Sequence, residues 1–481
     1  MRYKVVFKVL SLVVILTGLS MLTALPFSFY YGDNDYFAIL ISTIISLGIG
    51  VPGLVITYKN KEDIRIKEGF AIVTLGWITF TVFGALPYMF SGATTSFTDA
   101  FFETMSGFTT TGATIFADVE SLPHGILFWR SMTHWLGGMG LIVLTVAILP
   151  FLGVGGMQMF KAESPGPTVD KLTPRITATA KILWSVYVLF TLAETILLML
   201  AGMNLFDALC HSFATMATGG FSTKNASIAA YSSITIDYII IVFMFIAGMN
   251  FSLHYKLLKG KFKGVFENSE LRLYLTIIII STALICIVTM LYHYDSFWQS
   301  LQFSLFQVVT LMTTTGFGTA DYEQWTLVSQ IILLVLMFIG GCAGSTAGGM
   351  KVIRLLILLK FANNELKRLL HPNAVIAIKL GNQVLDRKII INVAGFFVIY
   401  ILITVFSVII VSAFGVDFTT SIGAVAATIN NVGPGIGMVG PTDNYSHLPA
   451  AVKWFLSFLM VLGRLEVYTV IILLSPGFWK R

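Results

Sequence analysis

Residues 389–414 pass through 26 positions without one charged side chain. As a helix, that segment is about 39 Å long at ~1.5 Å per residue, enough to cross the ~30 Å hydrocarbon layer of a bilayer. Segments of the same kind recur along the 481 residues, so charged residues make up only 11% of the chain, against roughly 25% in soluble domains. A soluble surface of this size needs far more charge than that. A soluble enzyme, a disulfide-rich secreted module and a disordered protein are therefore excluded, and the chain reads as an all-α polytopic membrane protein. Its three cysteines, Cys210, Cys286 and Cys342, sit in apolar context and read as packing residues. The basic start (Arg2, Lys4, Lys8) resembles a signal peptide. No convincing small-residue cleavage site follows, so this stretch reads as the first membrane helix.

Ten spans are predicted, over residues 6–27, 37–58, 69–90, 127–157, 182–203, 234–255, 271–292, 327–359, 389–414 and 452–474. Orientation follows from the basic residues. With the N-terminus in the cytoplasm, all of the 30 Lys and Arg lie in or beside cytoplasmic segments except Arg130, Lys224, Lys453 and Arg464. Both termini are then inside. The net charge of +6 reports topology, and no nucleic-acid partner is implied.

The stretches left on the outer side resemble one another: SFTDAFFETMSGFTTTGAT (96–114), NLFDALCHSFATMATGGF (204–221), SLQFSLFQVVTLMTTTGFG (300–318) and DFTTSIGAVAATINNVGPG (417–435). Each is an amphipathic stretch followed by a glycine-centred pentapeptide: TTGAT, ATGGF, TTGFG, NVGPG. Aligned on Gly112, Gly219, Gly316 and Gly433, they are spaced by 107, 97 and 117 residues. One such motif would be a helix C-cap; four on one side of a membrane are a repeat. The predicted architecture is thus two N-terminal helices (1–68), then four helix–pore loop–helix repeats around a pseudo-fourfold pore. The repeats run over 69–175, 176–265, 266–385 and 386–481. Dehydrating a monovalent cation requires a ring of oxygens to replace its water, and four converging loops can supply backbone carbonyls. The candidate cation-binding residues are Thr110, Thr111 and Gly112; Ala217, Thr218 and Gly219; Thr314, Thr315 and Gly316; and Asn431, Val432 and Gly433.

These pentapeptides look like degenerate versions of the TVGYG potassium filter. Their fourfold occurrence in one chain resembles the Trk/Ktr/HKT superfamily of cation transporters. The two helices ahead of the first repeat make the bacterial Trk branch the nearer match. DAFFE at Asp99, WLGGMGLIVLTVAILP at Trp135, HSFATMATGGFST at His211, GGCAGSTAGGMKVIR at Gly340 and GRLEVYT at Gly463 carry the resemblance along essentially the whole chain. The resemblance implies potassium uptake across the inner (plasma) membrane, K⁺ bound in the filter and no organic cofactor in this chain. It also implies a homodimer with one pore per subunit and a cytoplasmic nucleotide-binding regulatory subunit of the TrkA type. In some plant relatives Ser replaces the first filter glycine and sodium is favoured; Gly112 is glycine, so potassium is the expected ion.

The eighth span is longer than one crossing needs, and its middle carries Gly340, Gly341, Gly344, Gly348 and Gly349 around Ser345 and Thr346. Five glycines in ten residues disfavour a helix by about 1 kcal/mol each relative to Ala. A gating loop over 340–349 is expected, since unwound backbone at membrane depth is tolerated only inside protein or beside a wet cavity; close helix packing is the other reading. Arg464 lies mid-span, and an intramembrane arginine is functional by default. It either projects into the pore and bonds gate carbonyls, the role the resemblance implies, or pairs with a carboxylate. Glu194, also mid-span, reads as a buried carboxylate rather than an ion site. The acids Asp99, Glu103, Asp207, Asp295, Asp321 and Asp417 either concentrate cations at the outer mouth or are solvated loop acids.

The basic stretch LLKFANNELKRLLHPNAVIAIKL offers a docking surface for a partner or merely obeys the topology rule. An intramembrane enzyme is disfavoured, because no G-x-S-x-G elbow surrounds Ser345 and the seven histidines form no H-x-x-x-H pair. An ion-coupled secondary transporter, carrying K⁺ with H⁺ or Na⁺, is the alternative. It would favour paired broken helices and midplane carboxylates over four outward loops.

Overall fold

The computed structural model describes residues 1–59, 64–140, 176–372, 377–381 and 383–480. The described chain is built from helices: α1 (Tyr3–Tyr31, through a 3₁₀ turn at Leu22–Ala24), α2 (Tyr36–Thr57) and α3 (Ile66–Phe90); α4 (Phe97–Phe108), α5 (His124–Trp135), α6 (Ile176–Leu200) and α7 (Leu205–Ala217); α8 (Ile234–Ala247), α9 (Phe251–Leu258), α10 (Ser269–Tyr292) and α11 (Phe297–Met312); and α12 (Leu327–Ile339), α13 (Val352–Leu370), α14 (Arg387–Ala413), α15 (Phe418–Ile429), α16 (Ala450–Arg464) and α17 (Tyr468–Leu474). The only departure from all-α among the described residues is an antiparallel ladder pairing Lys379 with Val384 and Leu380 with Gln383.

The polarity of the molecule is the reverse of a soluble domain's. On α14, Ile391, Val398, Leu402, Val405, Phe406 and Ile409 face outward, as Ile44, Val55 and Ile56 do on α2. Inside lie Thr104, Ser106, Thr215, Thr310 and Thr428. The hydroxyls of Thr104, Thr215 and Thr428 donate to the carbonyl four residues earlier, so burial leaves those three donors met (2.6 Å to Ala100, 2.8 Å to His211 and 2.7 Å to Ala424). Apolar side chains outside and bonded hydroxyls inside suit a surface bathed by hydrocarbon.

Six described helices are long and apolar enough to cross a membrane unbroken, and α8 with α9 makes a seventh bent by 103°. The expected ten spans therefore meet the structure with differences. Part of the fourth, with all but the first six residues of the motif that begins at Trp135, lies outside the described residues, as do Lys61, Lys161, Lys171 and Arg175. Three others are interrupted. The break in the eighth falls where the glycine cluster was read, between Ile339 and Val352. The sixth breaks at Gly248 and the tenth after Arg464, where continuous helices were expected. Helix α5 likewise passes into a π-helical turn at Leu136–Gly140. The three breaks and this turn meet the C-terminal ends of the short helices α4, α7, α11 and α15: Gly137 lies against Phe108, Gly138 against Ala217, Gly248 against Thr313, Gly348 against Asn430 and Gly463 against Ile429.

Candidate ion-conduction site

Those four short helices end alike. Thr110, Thr218, Thr314 and Asn431 all adopt left-handed φ, between +53° and +57°, which costs a Cβ-bearing residue about 1–2 kcal/mol. Two residues on, Gly112, Gly220, Gly316 and Gly433 have φ of +85°, +77°, +84° and +96°. The intervening N–H returns to the helix each time: Thr111 to Ser106, Gly219 to Ala214, Thr315 to Thr310 and Val432 to Ala427, all at 2.8 Å. This shared cap sets the true register. The glycine of the second loop that matches Gly112 is Gly220, not Gly219. Gly219 stands where Thr111, Thr315 and Val432 stand, and Ala217 is the last residue of its helix, level with Thr109, Thr313 and Asn430.

In this register the loops close on one another. A Cβ on Gly112 would strike the carbonyl oxygen of Gly219, one on Gly220 that of Thr315, and one on Gly316 that of Val432; a Cβ on Gly433 would meet that of Thr111. First loop touches second, second touches third, third touches fourth, and fourth touches first. Glycine is required at these four places because neighbouring backbone occupies the space of a side chain and because φ is positive. Above the ring opens a vestibule that Gly112, Gly220, Gly316 and Gly433 all line.

The first three loops are also held from behind, by the side chain seven residues before the left-handed residue. Glu103 accepts from the Ile115 N–H at 2.8 Å and from Thr114 Oγ1 at 3.1 Å. His211 Nε2 meets Ser222 Oγ at 2.9 Å, and Gln307 Nε2 donates to the Ala320 carbonyl at 3.0 Å. In the fourth loop the position is Ala424, and Tyr445 and Tyr322 instead donate to the carbonyls of Gly433 (2.8 Å) and Gly435 (2.6 Å). Glu103 is fully buried and paired with Arg130 at 2.6 Å, and Arg130 Nη1 donates to the Ser222 carbonyl at 2.9 Å. One ion pair thus joins the first loop to the second. Neither sequence reading of Glu103, mouth acid or solvated acid, holds.

The other acids expected at the mouth are mainly structural. Asp99 pairs with Lys453 at 2.6 Å, and buried Asp207 accepts from Thr223 Oγ1 at 2.6 Å. Asp321 caps the turn at Tyr322–Gln324, Asp417 caps α15, and Asp295 is exposed. Hydrogen bonds from Thr420 hold the Asp417 carboxyl below the usual carboxylate range. Burial pushes that of Glu323 up. Glu194 is fully buried on α6 beside Thr215 and does not line the vestibule.

Beneath the ring lies the segment between α12 and α13. Gly340, Gly344 and Gly349 have φ of +73°, +70° and +71°, so three of its glycines take backbone that a helix cannot use. The Gly348 N–H donates to Thr314 Oγ1 at 2.6 Å, and that of Gly349 to the Asn430 carbonyl at 3.1 Å. Thr346 Oγ1 is 3.1 Å from the Met216 carbonyl. The segment therefore bonds to the bases of the second, third and fourth loops. Gly341 packs against the Gly248 carbonyl, and Ser345 donates to the Cys342 carbonyl, closing a local turn. Arg464 completes the set. It donates to the Thr346 carbonyl (2.7 Å), to Thr110 Oγ1 in the first loop (3.0 Å), and to the carbonyls of Gly137 and Gly138 (both 2.8 Å). Glu466 bonds Arg354 instead, and Arg354 also lies 4.1 Å over the Phe396 ring.

Sequence reasoning missed the Glu103–Arg130 pair, Gly220 as the matched glycine, and the helix breaks at 248 and 465. Clustered small residues mark three of these places, GGMG, AGMN and GGCAG, whereas LGRLE carries a single glycine.

Comparison with known proteins adds the family. Residues 36–480 match the TrkH family, described as "Cation transport protein". The Trk system potassium uptake protein TrkH of Escherichia coli (strain K12) is 45% identical over 486 aligned residues, covering all of both chains. That of Halomonas elongata is 42% identical, again over the full length of both. The crystal structure of the potassium transporter TrkH from Vibrio parahaemolyticus superposes with a TM-score of 0.89, at 38% sequence identity and full coverage of both chains. A full-length match to these transporters, in sequence and in fold, places the chain in the TrkH family of cation transport proteins.

Proposed function

We propose that this chain carries potassium into the cell across the inner membrane, through a pore whose narrowest part is the ring of four loops. In this reading the chain crosses the membrane ten times with both termini in the cytoplasm. Two helices come first, and four repeats beginning near residues 69, 176, 266 and 386 follow. The ring at Thr110–Gly112, Thr218–Gly220, Thr314–Gly316 and Asn431–Gly433 is the selectivity filter, where carbonyls replace the water of K⁺. The segment 340–349 and Arg464 are the gate. In this reading their bonds to all four loop bases hold the pore shut, and the guanidinium adds a positive charge that repels cations.

The observation that carries the reading is the cyclic closure of the loops, glycine against the next loop's carbonyl, in a chain whose full-length relatives are named potassium uptake proteins. Those relatives belong to a Trk system, and the cytoplasmic Lys/Arg-rich segment that includes Lys360, Lys367 and Arg368 is the proposed dock for a TrkA-type nucleotide-binding subunit; Arg354, at its start, is buried against Glu466 and Phe396 and takes no part. A homodimer with one pore per subunit completes the assembly. No organic cofactor is needed in this chain.

Rubidium uptake into proteoliposomes, with sodium as competitor, tests the reading. Wild-type protein should take up Rb⁺ down its electrochemical gradient and exclude Na⁺. Gly112→Ser should lose that discrimination, and Arg464→Ala should raise flux. Absence of Rb⁺ uptake by folded protein, or uptake that follows a proton or sodium gradient instead, would overturn it.

A further inference from the structure

The four loops share a backbone but not the side chains that stiffen it. In the first and third, hydroxyls two residues apart pair at 2.8 Å: Thr109 with Thr111, and Thr313 with Thr315. The second loop has Ala217 and Gly219 at those positions, so it can make no such pair. Gly219 is also glycine for a reason of its own. Its φ is not positive, unlike that of Gly220, yet a Cβ built on it would fall inside the imidazole of His134.

His134 belongs to α5, in the preceding repeat, and is fully buried. Its ring stacks on Phe221, the residue after Gly220, at 4.0 Å with the planes 12° apart. The Arg130 guanidinium lies over the same phenyl ring at 3.5 Å. Two groups that close to one ring must take opposite faces, so α5 grips the second loop at Gly219 and at Phe221. Neither imidazole nitrogen has a hydrogen-bond partner in the structure. An unmet buried polar atom costs about 1–3 kcal/mol, so the ring's position is set by what it packs against rather than by what it bonds.

We propose that His134 is a specificity-setting positioning residue for the second loop: its imidazole fills, from a neighbouring helix, the side-chain place that Gly219 leaves empty, and so fixes the Gly219 carbonyl in the ring. The inference rests on the ion-conducting reading above. A filter discriminates between alkali ions by where its oxygens stand, so an unsupported carbonyl relaxes selectivity before it stops conduction.

The test compares Rb⁺ uptake with Na⁺ competition for five proteins: wild type, Gly219→Ala, His134→Ala, His134→Phe and the double variant His134→Ala/Gly219→Thr. Gly219→Ala should abolish uptake, because the new methyl and the imidazole claim one space. In His134→Ala, Rb⁺ uptake should persist while Rb⁺ over Na⁺ discrimination falls about tenfold, equivalent to ~1.4 kcal/mol. His134→Phe should keep discrimination, since the ring and not its nitrogens provides the support. The double variant, which restores a side chain on the loop itself, should recover discrimination to within about threefold. Wild-type discrimination in folded His134→Ala, or a double variant no better than that single one, overturns the proposal. If His134→Ala fails to fold, the double variant decides: folded and selective supports the exchange, unfolded refutes it. Wild-type protein that takes up no Rb⁺ would instead sink the conduction reading itself.

Discussion

Diagonally opposite loops of the ring are alike, and neighbours differ. The first and third are braced from within, each by its own threonine pair, at 2.8 Å in both. The second and fourth are braced from outside. The second leans on His134 and on the Glu103–Arg130 pair. In the fourth, Asn431 Nδ2 donates to Thr111 Oγ1 of the first loop (3.0 Å) and to the Met460 carbonyl (2.9 Å), and Tyr400 bonds Asn430. The same backbone can thus be stiffened by two kinds of wiring, and a ring that alternates them has twofold rather than fourfold chemistry. Self-braced loops should tolerate damage to their neighbours, whereas cross-braced loops should fail along with the element that supports them.

Arg130 gives the largest expected effect, because it serves two loops at once. Arg130→Met leaves the Glu103 carboxylate buried without its cation, which costs about 3–5 kcal/mol, and removes the bond to Ser222. Detergent-solubilised protein should show a clearly lowered melting temperature and little Rb⁺ uptake. Arg130→Met with Glu103→Leu should regain part of the stability, since no lone charge remains. Selectivity should stay impaired, because both loops have still lost a brace. Full recovery of selectivity in the double variant would show that the ion pair merely fills space.

Asn431→Ala comes next. It deletes two buried donors and leaves the Met460 carbonyl and Thr111 hydroxyl short of a partner, a loss of about 1–3 kcal/mol. The threonines then sharpen the contrast between loops. Thr111→Val breaks the pair with Thr109 and also removes the acceptor for Asn431, whereas Thr315→Val breaks only the pair with Thr313. The first should cost about 1 kcal/mol more than the second, measured as unfolding midpoints of the two variants. Valine already occupies the matching place in the fourth loop as Val432, so neither exchange is sterically foreign to the ring. Equal losses would mean that the fourth loop does not depend on the first.

How much of this was readable beforehand follows the range of the interaction. The repeat was legible because a left-handed residue and a glycine two positions later leave a local mark, T-x-G or N-x-G. The one slip came where two glycines are adjacent: Gly219 and Gly220 look interchangeable in sequence, and only the +77° φ of Gly220 and the imidazole beside Gly219 tell them apart. The break at 340–349 was legible because five glycines signal it. The break after Arg464 was not, since it places Glu466 and Val467 at φ +54° and +63°, and a β-branched residue is the last type that propensity would put there. Glu103 and Arg130 carry no mutual signal, being 27 residues apart on separate helices. Arg464 stood out by its depth alone, but its four acceptors, drawn from three distant segments, belong to tertiary structure.

The smallest expected effect lies at the entrance to the fourth loop and tests whether cross-bracing extends to the helix that carries it. Asp417 caps α15, accepting from the Thr420 N–H at 3.0 Å, and Thr420 Oγ1 in turn accepts from the Met438 N–H at 2.9 Å. Asp417→Ala should cost about 1 kcal/mol, while Asp417→Asn, an equally good cap, should cost little. Because the Thr420 bonds hold the folded carboxyl below the usual carboxylate range, its contribution is complete above about pH 3.9, the ordinary aspartate value. It is lost as the pH falls through the lowered folded value. The unfolding midpoint of wild-type protein should therefore fall at strongly acid pH by more than that of Asp417→Asn. A matching acid response in the two proteins would mean that the helix is positioned by its packing and not by its cap, and the fourth loop would then owe its rigidity to Asn431 and Tyr400 alone.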